Sequence, residues 1–213
     1  PLRIGIVTSS GKRVEEVWLE GEHESFVFPS PEKPLLVRFD EGNWLLKEWT
    51  YNKSVEELLF QVTNDDVVGR EWAVRQLAPN ATDVEVAGTL LKLVGEDPFW
   101  AVRLAALEVL RLDVWRELKP LFQEAARDVD SKVRRTAIRR LGELGHQDLA
   151  PFFLERFRQE ESYLDQAEAL TALGRTGDRG QLPFLREALE IPSHQDVIRR
   201  AAEGAIEALS RNR

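Results

Sequence analysis

A single phrase recurs along this chain and limits what it can fold into. It reads Val68-Gly-Arg70-Glu-Trp-Ala73-Val-Arg-Gln-Leu77, then Val102-Arg103-Leu-Ala-Ala106-Leu-Glu-Val-Leu110. It returns at Val133-Arg134-Arg-Thr-Ala137-Ile-Arg-Arg-Leu141 and at Ile198-Arg199-Arg-Ala-Ala202-Glu-Gly-Ala-Ile206, with a degenerate copy at Asp165-Gln166-Ala-Glu-Ala169-Leu-Thr-Ala-Leu173. The alanines Ala73, Ala106, Ala137, Ala169 and Ala202 step by 33, 31, 32 and 33 residues. A step of this length is one helical pair, and such pairs bury their apolar faces only by stacking on their neighbours. The alanines are small enough for two helices to approach closely at each copy.

A second element keeps the same beat. Pro120, Pro151 and Pro183 stand 31 and 32 residues apart, each among Leu and Phe. Proline is tolerated in the first turn of a helix, where its missing N–H has no intrahelical acceptor. Each repeat therefore begins one helix near a proline and carries its second helix at the Val-Arg-x-x-Ala phrase. Val133, Ala137, Leu141 and Leu144 share one face of that second helix. Ser54-Val-Glu-Glu57 and Thr82-Asp-Val-Glu85 read as capping boxes at helix starts, and Gly142, Gly145 and Gly174 stand where helix C-termini are expected.

Residues 1 to about 51 follow period two instead. Leu2, Ile4 and Ile6 alternate with Arg3, Gly5 and Val7, and strands are also predicted over 14–19, 25–28, 35–39 and, shorter, 44–49. Pro29, Pro31 and Pro34 make the stretch between the third and fourth a connection. The expected class is α+β, mainly α. A partial β-sandwich over 1–51, lacking its opening strands, precedes a helical-repeat domain over 52–213.

Charge also keeps register. Asp97 precedes Arg103 by six residues, as Asp128 precedes Arg134, while Asn64 holds that place before Arg70. These features resemble HEAT repeats, in which a turn aspartate and a second-helix arginine form a ladder between neighbours. The resemblance assigns Arg70, Asp97, Arg103, Asp128 and Arg134 to that ladder. Gln166 replaces the arginine in the copy at 161–174 and weakens its rung.

No catalytic constellation is legible. With no cysteine, thiolate chemistry and Cys-ligated zinc are excluded. His23-Glu24 opens like the zinc signature His-Glu-x-x-His, but Val27 holds its fifth position, and His146 and His194 lie far away in sequence. No Gly-x-Ser-x-Gly elbow or phosphate-binding glycine loop is present. No catalytic, metal or cofactor residue is therefore assigned. Trp72, Trp100, Phe122, Phe152, Phe153 and Phe184 read as core. Asn52-Lys-Ser54 and Asn80-Ala-Thr82 match the glycosylation acceptor pattern but read as helix caps. Lys132, Arg134, Arg135, Arg139 and Arg140 load one helix, and Arg199, Arg200, Arg211 and Arg213 the last. Against 29 basic residues stand 37 acidic ones, which argues against a phosphate-binding surface and a nucleic-acid partner. Nor is a membrane partner expected, because no apolar run reaches spanning length. The compartment is left open.

The junction carries a further resemblance. Leu35-Leu-Val-Arg-Phe-Asp40-Glu-Gly-Asn-Trp-Leu-Leu-Lys47 leads into Lys53-Ser-Val-Glu-Glu-Leu-Leu-Phe-Gln61 and then Arg70-Glu-Trp-Ala73. This arrangement is similar to the passage from β-sandwich to helical region in M1-family zinc aminopeptidases. The resemblance implies a non-catalytic C-terminal region that walls the substrate chamber and limits peptide access. Its partners would be the catalytic domain of the same polypeptide and the parent's peptide substrates. Zinc and the peptide-hydrolase chemistry would belong to a catalytic domain ahead of residue 1, with no cofactor in this stretch. The alternatives are an interaction scaffold from an M1-like non-peptidase and a freestanding repeat protein of the bilin-lyase type.

Overall fold

The computed structural model describes residues 1–112 and 118–211. They form three strands and ten α-helices in two compact units, Pro1–Asn80 and Ala81–Arg213. The fold is α+β and mainly α.

In the first unit, β1 (Leu2–Thr8) lies between β2 (Gly11–Val17) and β3 (Leu36–Phe39), antiparallel to both. Leu2 pairs with Val17, Thr8 with Gly11, and Ile4 with Phe39. This register places Leu2, Ile4, Ile6 and Val17 in one core cluster, against which Phe28, Val37 and Phe39 pack. Of the expected partial sandwich, the described residues contain this single layer.

Two predicted strands are not formed, each for a local reason. At 25–28 the chain pairs with neither edge of the sheet, and only Phe28 packs against its core. Phe28 turns into the core, and the Arg13 guanidinium donates to the Pro29 carbonyl. At 44–49 a side chain takes the place of a partner strand. The Asp40 carboxylate accepts the Trp44 and Leu45 amides at 3.1 and 2.9 Å and pairs with Lys47. Burial alone would raise the Asp40 carboxyl, but the Lys47 ammonium and the two amides outweigh it and hold it below the usual range.

Helices α1 (Val55–Asn64) and α2 (Val67–Gln76) complete this unit. Ser54 caps α1 by accepting from the Glu57 amide. The Glu57 side chain does not close the box and turns to the Val37 amide and the Lys53 ammonium. The sheet is tied to the pair by buried charge. Arg38, 2% exposed, has Nε at 2.9 Å from Asp65 Oδ2 and Nη2 at 3.2 Å from Asp66 Oδ1. Trp49 stacks between Phe39 and Trp72, its ring centroid 4.6 Å from that of Trp72. The period-two pattern ends at residue 51, yet the compact unit runs on to Asn80 because these contacts join sheet and helices.

The second unit is a row of four helical pairs: α3 (Val84–Glu96) with α4 (Trp100–Val109), α5 (Lys119–Ala125) with α6 (Ser131–Leu144), α7 (Ala150–Gln159) with α8 (Tyr163–Thr176), and α9 (Leu182–Ala188) with α10 (Val197–Arg211). Each first helix packs on its own second helix, while α4 touches α6, α6 touches α8 and α8 touches α10. Pro120, Pro151 and Pro183 open α5, α7 and α9. Ala73 of α2 and Ala106, Ala137, Ala169 and Ala202 of α4, α6, α8 and α10 are all buried. Phe122, Leu141, Phe153 and Leu173 fill the space between layers. Burying one such side chain contributes about 1.5–3 kcal/mol, more than a surface ion pair. Apolar burial therefore holds the row together.

Three local expectations need correction. Asp83, not Thr82, caps α3, accepting from the Glu85 and Val86 amides, because it is the residue that stands directly before the first helical residue. Of the three glycines, only Gly145 ends a helix, in a left-handed cap. Gly142 lies inside α6 and Gly174 inside α8, at the crossings. A Cβ on Gly142 would stand 2.8 Å from the Ala172 Cβ, and one on Gly174 would stand 2.6 Å from the Ala205 Cα. Successive second helices approach so closely there that no side chain fits.

Candidate functional site

One edge of the stack is built from the turns between first and second helices. Their backbones repeat. Asp97 Oδ1 accepts the Phe99 amide at 2.9 Å, and Asp128 Oδ1 accepts the Asp130 amide at 2.8 Å. Six residues on, the arginine reaches back. Arg103 Nη1 donates to the Asp97 carbonyl and Arg134 Nη1 to the Asp128 carbonyl, both at 2.9 Å. In the first unit Arg70 Nη1 donates to the Asp65 carbonyl at 3.2 Å, one residue past the Asn64 expected from spacing. Asp65 caps α1 as Asp97 caps α3, but the arginine of the α1–α2 turn reaches back five residues instead of six.

Within the second unit, the rest of the Arg103 and Arg134 guanidinium groups reaches the next repeat. Arg103 holds Asp128 with a fork, Nε and Nη2 each 2.7 Å from a carboxylate oxygen. The Asp128 hydrogen bond raises the Arg103 pKa. Burial pushes the Asp128 carboxyl up, but Arg103 and the Asp130 amide overcome this and lower it.

The second rung is built differently. Arg134 is shared between Glu160, with Nε at 3.0 Å, and Asp165, with Nη2 at 3.4 Å. Arg156 Nη2 lies 3.2 Å from the other oxygen of Glu160, and Arg135 Nη1 lies 3.8 Å from Asp165. Asp165 is completely buried. Burial first, and then the Glu160 carboxylate, push its pKa up to about 6 against the pull of Arg135 and Arg134. In the fourth copy Gln166 donates its side-chain amide to the Phe157 carbonyl at 3.3 Å. A neutral amide thus stands where the earlier copies have a cation.

Glu160 and Asp165 are the site residues that sequence reasoning missed. Glu160 follows Asp128 by 32 residues, the beat of the alanines, so its spacing was a usable signal. For Asp165 there was none, because it occupies no repeated acidic position.

Two clefts open along this edge. One of about 310 Å³ is lined by Asp97, Arg103, Leu121, Arg127, Asp128 and Val129, among others. The next, of about 380 Å³, is lined by Arg127, Arg134, Arg156, Gln159, Glu160 and Glu161, with Asp128. Arg127 and Asp128 border both. Cations and carboxylates alternate here beside apolar patches, an arrangement suited to gripping polar chains.

The cations of helix α6 have partners close by. Arg139 Nη2 lies 3.8 Å from Glu108, Arg140 pairs with Glu143 and donates to the Leu110 carbonyl, and Lys132 lies over the Trp100 ring at 4.1 Å. On α10, Arg199 donates to the Leu189 carbonyl and Arg211 pairs with Glu207; Arg213 lies outside the described residues. His23, His146 and His194 are exposed. Among the described residues, no group of three or more His, Asp or Glu side chains is arranged to hold a metal ion. Among the described residues, no helix is long and apolar enough to cross a membrane.

No curated protein matches the chain. Within the row of helical pairs, residues 118–207 match the family model of HEAT repeats.

Proposed function

We propose that this chain is a non-catalytic scaffold that engages protein or peptide chains along the turn edge of its repeat stack. The observation that supports this is the pair of consecutive clefts sharing Arg127 and Asp128. Their spacing follows the repeat, so an extended chain would meet equivalent charged groups at successive steps. The test is binding of a peptide array of mixed charge to the whole chain and to Arg127→Glu. Peptides captured by the wild-type chain and released by the variant support the reading. Capture that ignores the substitution, or no capture at all, contradicts it.

A finer reading rests on the first unit. The junction that resembles M1 aminopeptidases is tied internally by Arg38–Asp65 and by Lys53, whose ammonium donates to the Val37 carbonyl at 2.7 Å. A rigid sheet-to-helix junction suits a C-terminal region that packs over a zinc peptidase domain and walls its chamber. On this reading the isolated chain hydrolyses no aminoacyl substrate and retains no zinc, and the coding sequence ahead of residue 1 carries His-Glu-x-x-His on a helix. Stoichiometric zinc in the isolated chain, or an upstream sequence without that motif, would remove the peptidase parent and leave the scaffold.

A further inference from the structure

The two edges of the small sheet are treated differently. On β3 the outward backbone groups of Val37 are occupied: Glu57 Oε1 accepts its amide at 2.9 Å, and Lys53 Nζ donates to its carbonyl. On β2 the outer edge is open. The β1 carbonyls of Arg3 and Val7 are bonded on the β3 side by the Glu41 and Leu35 amides. Leu2, Ile4, Ile6 and Thr8 therefore bond toward β2, and their partners there are Val17, Glu15, Arg13 and Gly11. This leaves Lys12, Val14 and Glu16 with their backbone groups directed outward. Among the described residues, none bonds to those groups.

An exposed edge is normally blunted with charge. The order of charge on β2 does the opposite for one partner. Lys12-Arg13 precede Val14, and Glu15-Glu16 follow it. Laid antiparallel on a second copy about Val14, Lys12 falls opposite Glu16, Arg13 opposite Glu15, and Val14 opposite Val14. Every cation meets an anion, and the opposed residues share a face. The register also suits the backbone: Lys12, Val14 and Glu16 are the outward-bonding residues, so each opposed pair among them exchanges both hydrogen bonds. Lys12 keeps a partner in Glu41, 2.5 Å away, and Arg13 also donates to the Pro29 carbonyl, while the remaining pairs are loose. Arg3–Glu16 and Arg13–Glu15 are both 3.6 Å and substantially exposed. Trp18, 67% exposed, comes opposite the hairpin turn at Ser10 of the second copy.

We propose that the outer edge of β2 is a self-pairing surface, through which two copies of the chain join antiparallel about Val14 into one continuous sheet. The contact is isologous and closes as a dimer.

Sedimentation equilibrium of the 213-residue chain over a wide concentration range tests this. The weight-average mass is expected to rise about twofold and stop. Lys12→Glu with Arg13→Glu makes the edge wholly acidic, and Glu15→Lys with Glu16→Lys makes it wholly basic. Each double variant is expected to stay at single-chain mass, and an equimolar mixture to recover the twofold rise. Val14→Pro removes an outward N–H that the β1–β2 ladder does not use, and should also abolish the dimer while the circular dichroism melt is retained. A wild-type chain that stays at single-chain mass overturns the proposal. So does a dimer that survives both reversals, or a mixture that fails to associate.

Discussion

The two compact units solve the same problem in opposite ways. The stack of residues 81–213 buries a periodic apolar stripe and places its buried charges at one edge, in rungs such as Arg103–Asp128. The unit of residues 1–80 has only a small apolar core and fills the remaining space with charge: Arg38, Asp40, Asp65 and the Lys53 ammonium are all nearly inaccessible. Burial lowers the Lys53 pKa in spite of Glu57. Repetition lets a chain reuse one well-packed interface, whereas a single small sheet must use whatever side chains reach it.

The contrast predicts that buried charge matters more in the first unit than in the second. Arg38→Met leaves Asp65 desolvated without its cation and should cost about 3–5 kcal/mol. Hydrogen-exchange protection of β3 and α1 should fall with it. Equal protection in variant and wild type would place the burden on the Phe39–Trp49–Trp72 stack instead. In the second unit, Asp128→Ala strips the fork from Arg103 and should cost about 2–3 kcal/mol, read from urea unfolding. A loss matching that of Arg38→Met would erase the distinction between edge and core.

Asp165 sharpens the comparison within the stack, because its sign is reversed. Its folded pKa of about 6 lies above the ordinary 3.8, so the folded state holds the proton more tightly. The penalty is fully present above pH 6 and is relieved as pH falls from about 6 to 3.8. Asp128 is lowered, so its contribution holds down to 3.8 and is lost as pH falls below that value. Asp165→Asn should therefore stabilise the stack at neutral pH by about 2 kcal/mol, and the gain should fade at pH 4. Chemical denaturation at both pH values checks this. A variant less stable than wild type at neutral pH would show that the Arg134 and Arg135 contacts outweigh the burial.

The stack was legible because its signals repeat. Alanine, proline and Asp–Arg spacings agreed on one period, and each buried alanine and each proline-led helix follows it. Gly142 and Gly174 were visible but assigned to helix ends. They are also 32 residues apart, and that shared step marks a contact between repeats more than a stop. In the first unit β1, the hairpin, β3 and the helix pair that starts at Ser54 were legible, and the chain between them was not. Alternation at Phe26 and Phe28 could not reveal that Phe28 turns into a core, nor could the run after Trp44 show that Asp40 would take its amides. Arg38 reads as an outward strand residue until its partners, Asp65 and Asp66, are brought to it by the fold. Contacts of that kind are set by tertiary approach and leave no periodic trace.

The central claim is that the helical pairs lie in a row, joined neighbour to neighbour. Native-state hydrogen exchange on Gly174→Leu tests it most directly, because the new side chain collides with the Ala205 backbone at a single crossing. A row predicts that protection is lost in α8, α9 and α10 while α3 and α4 keep theirs. Uniform loss of protection from α3 to α10 would mean one indivisible core and would contradict it.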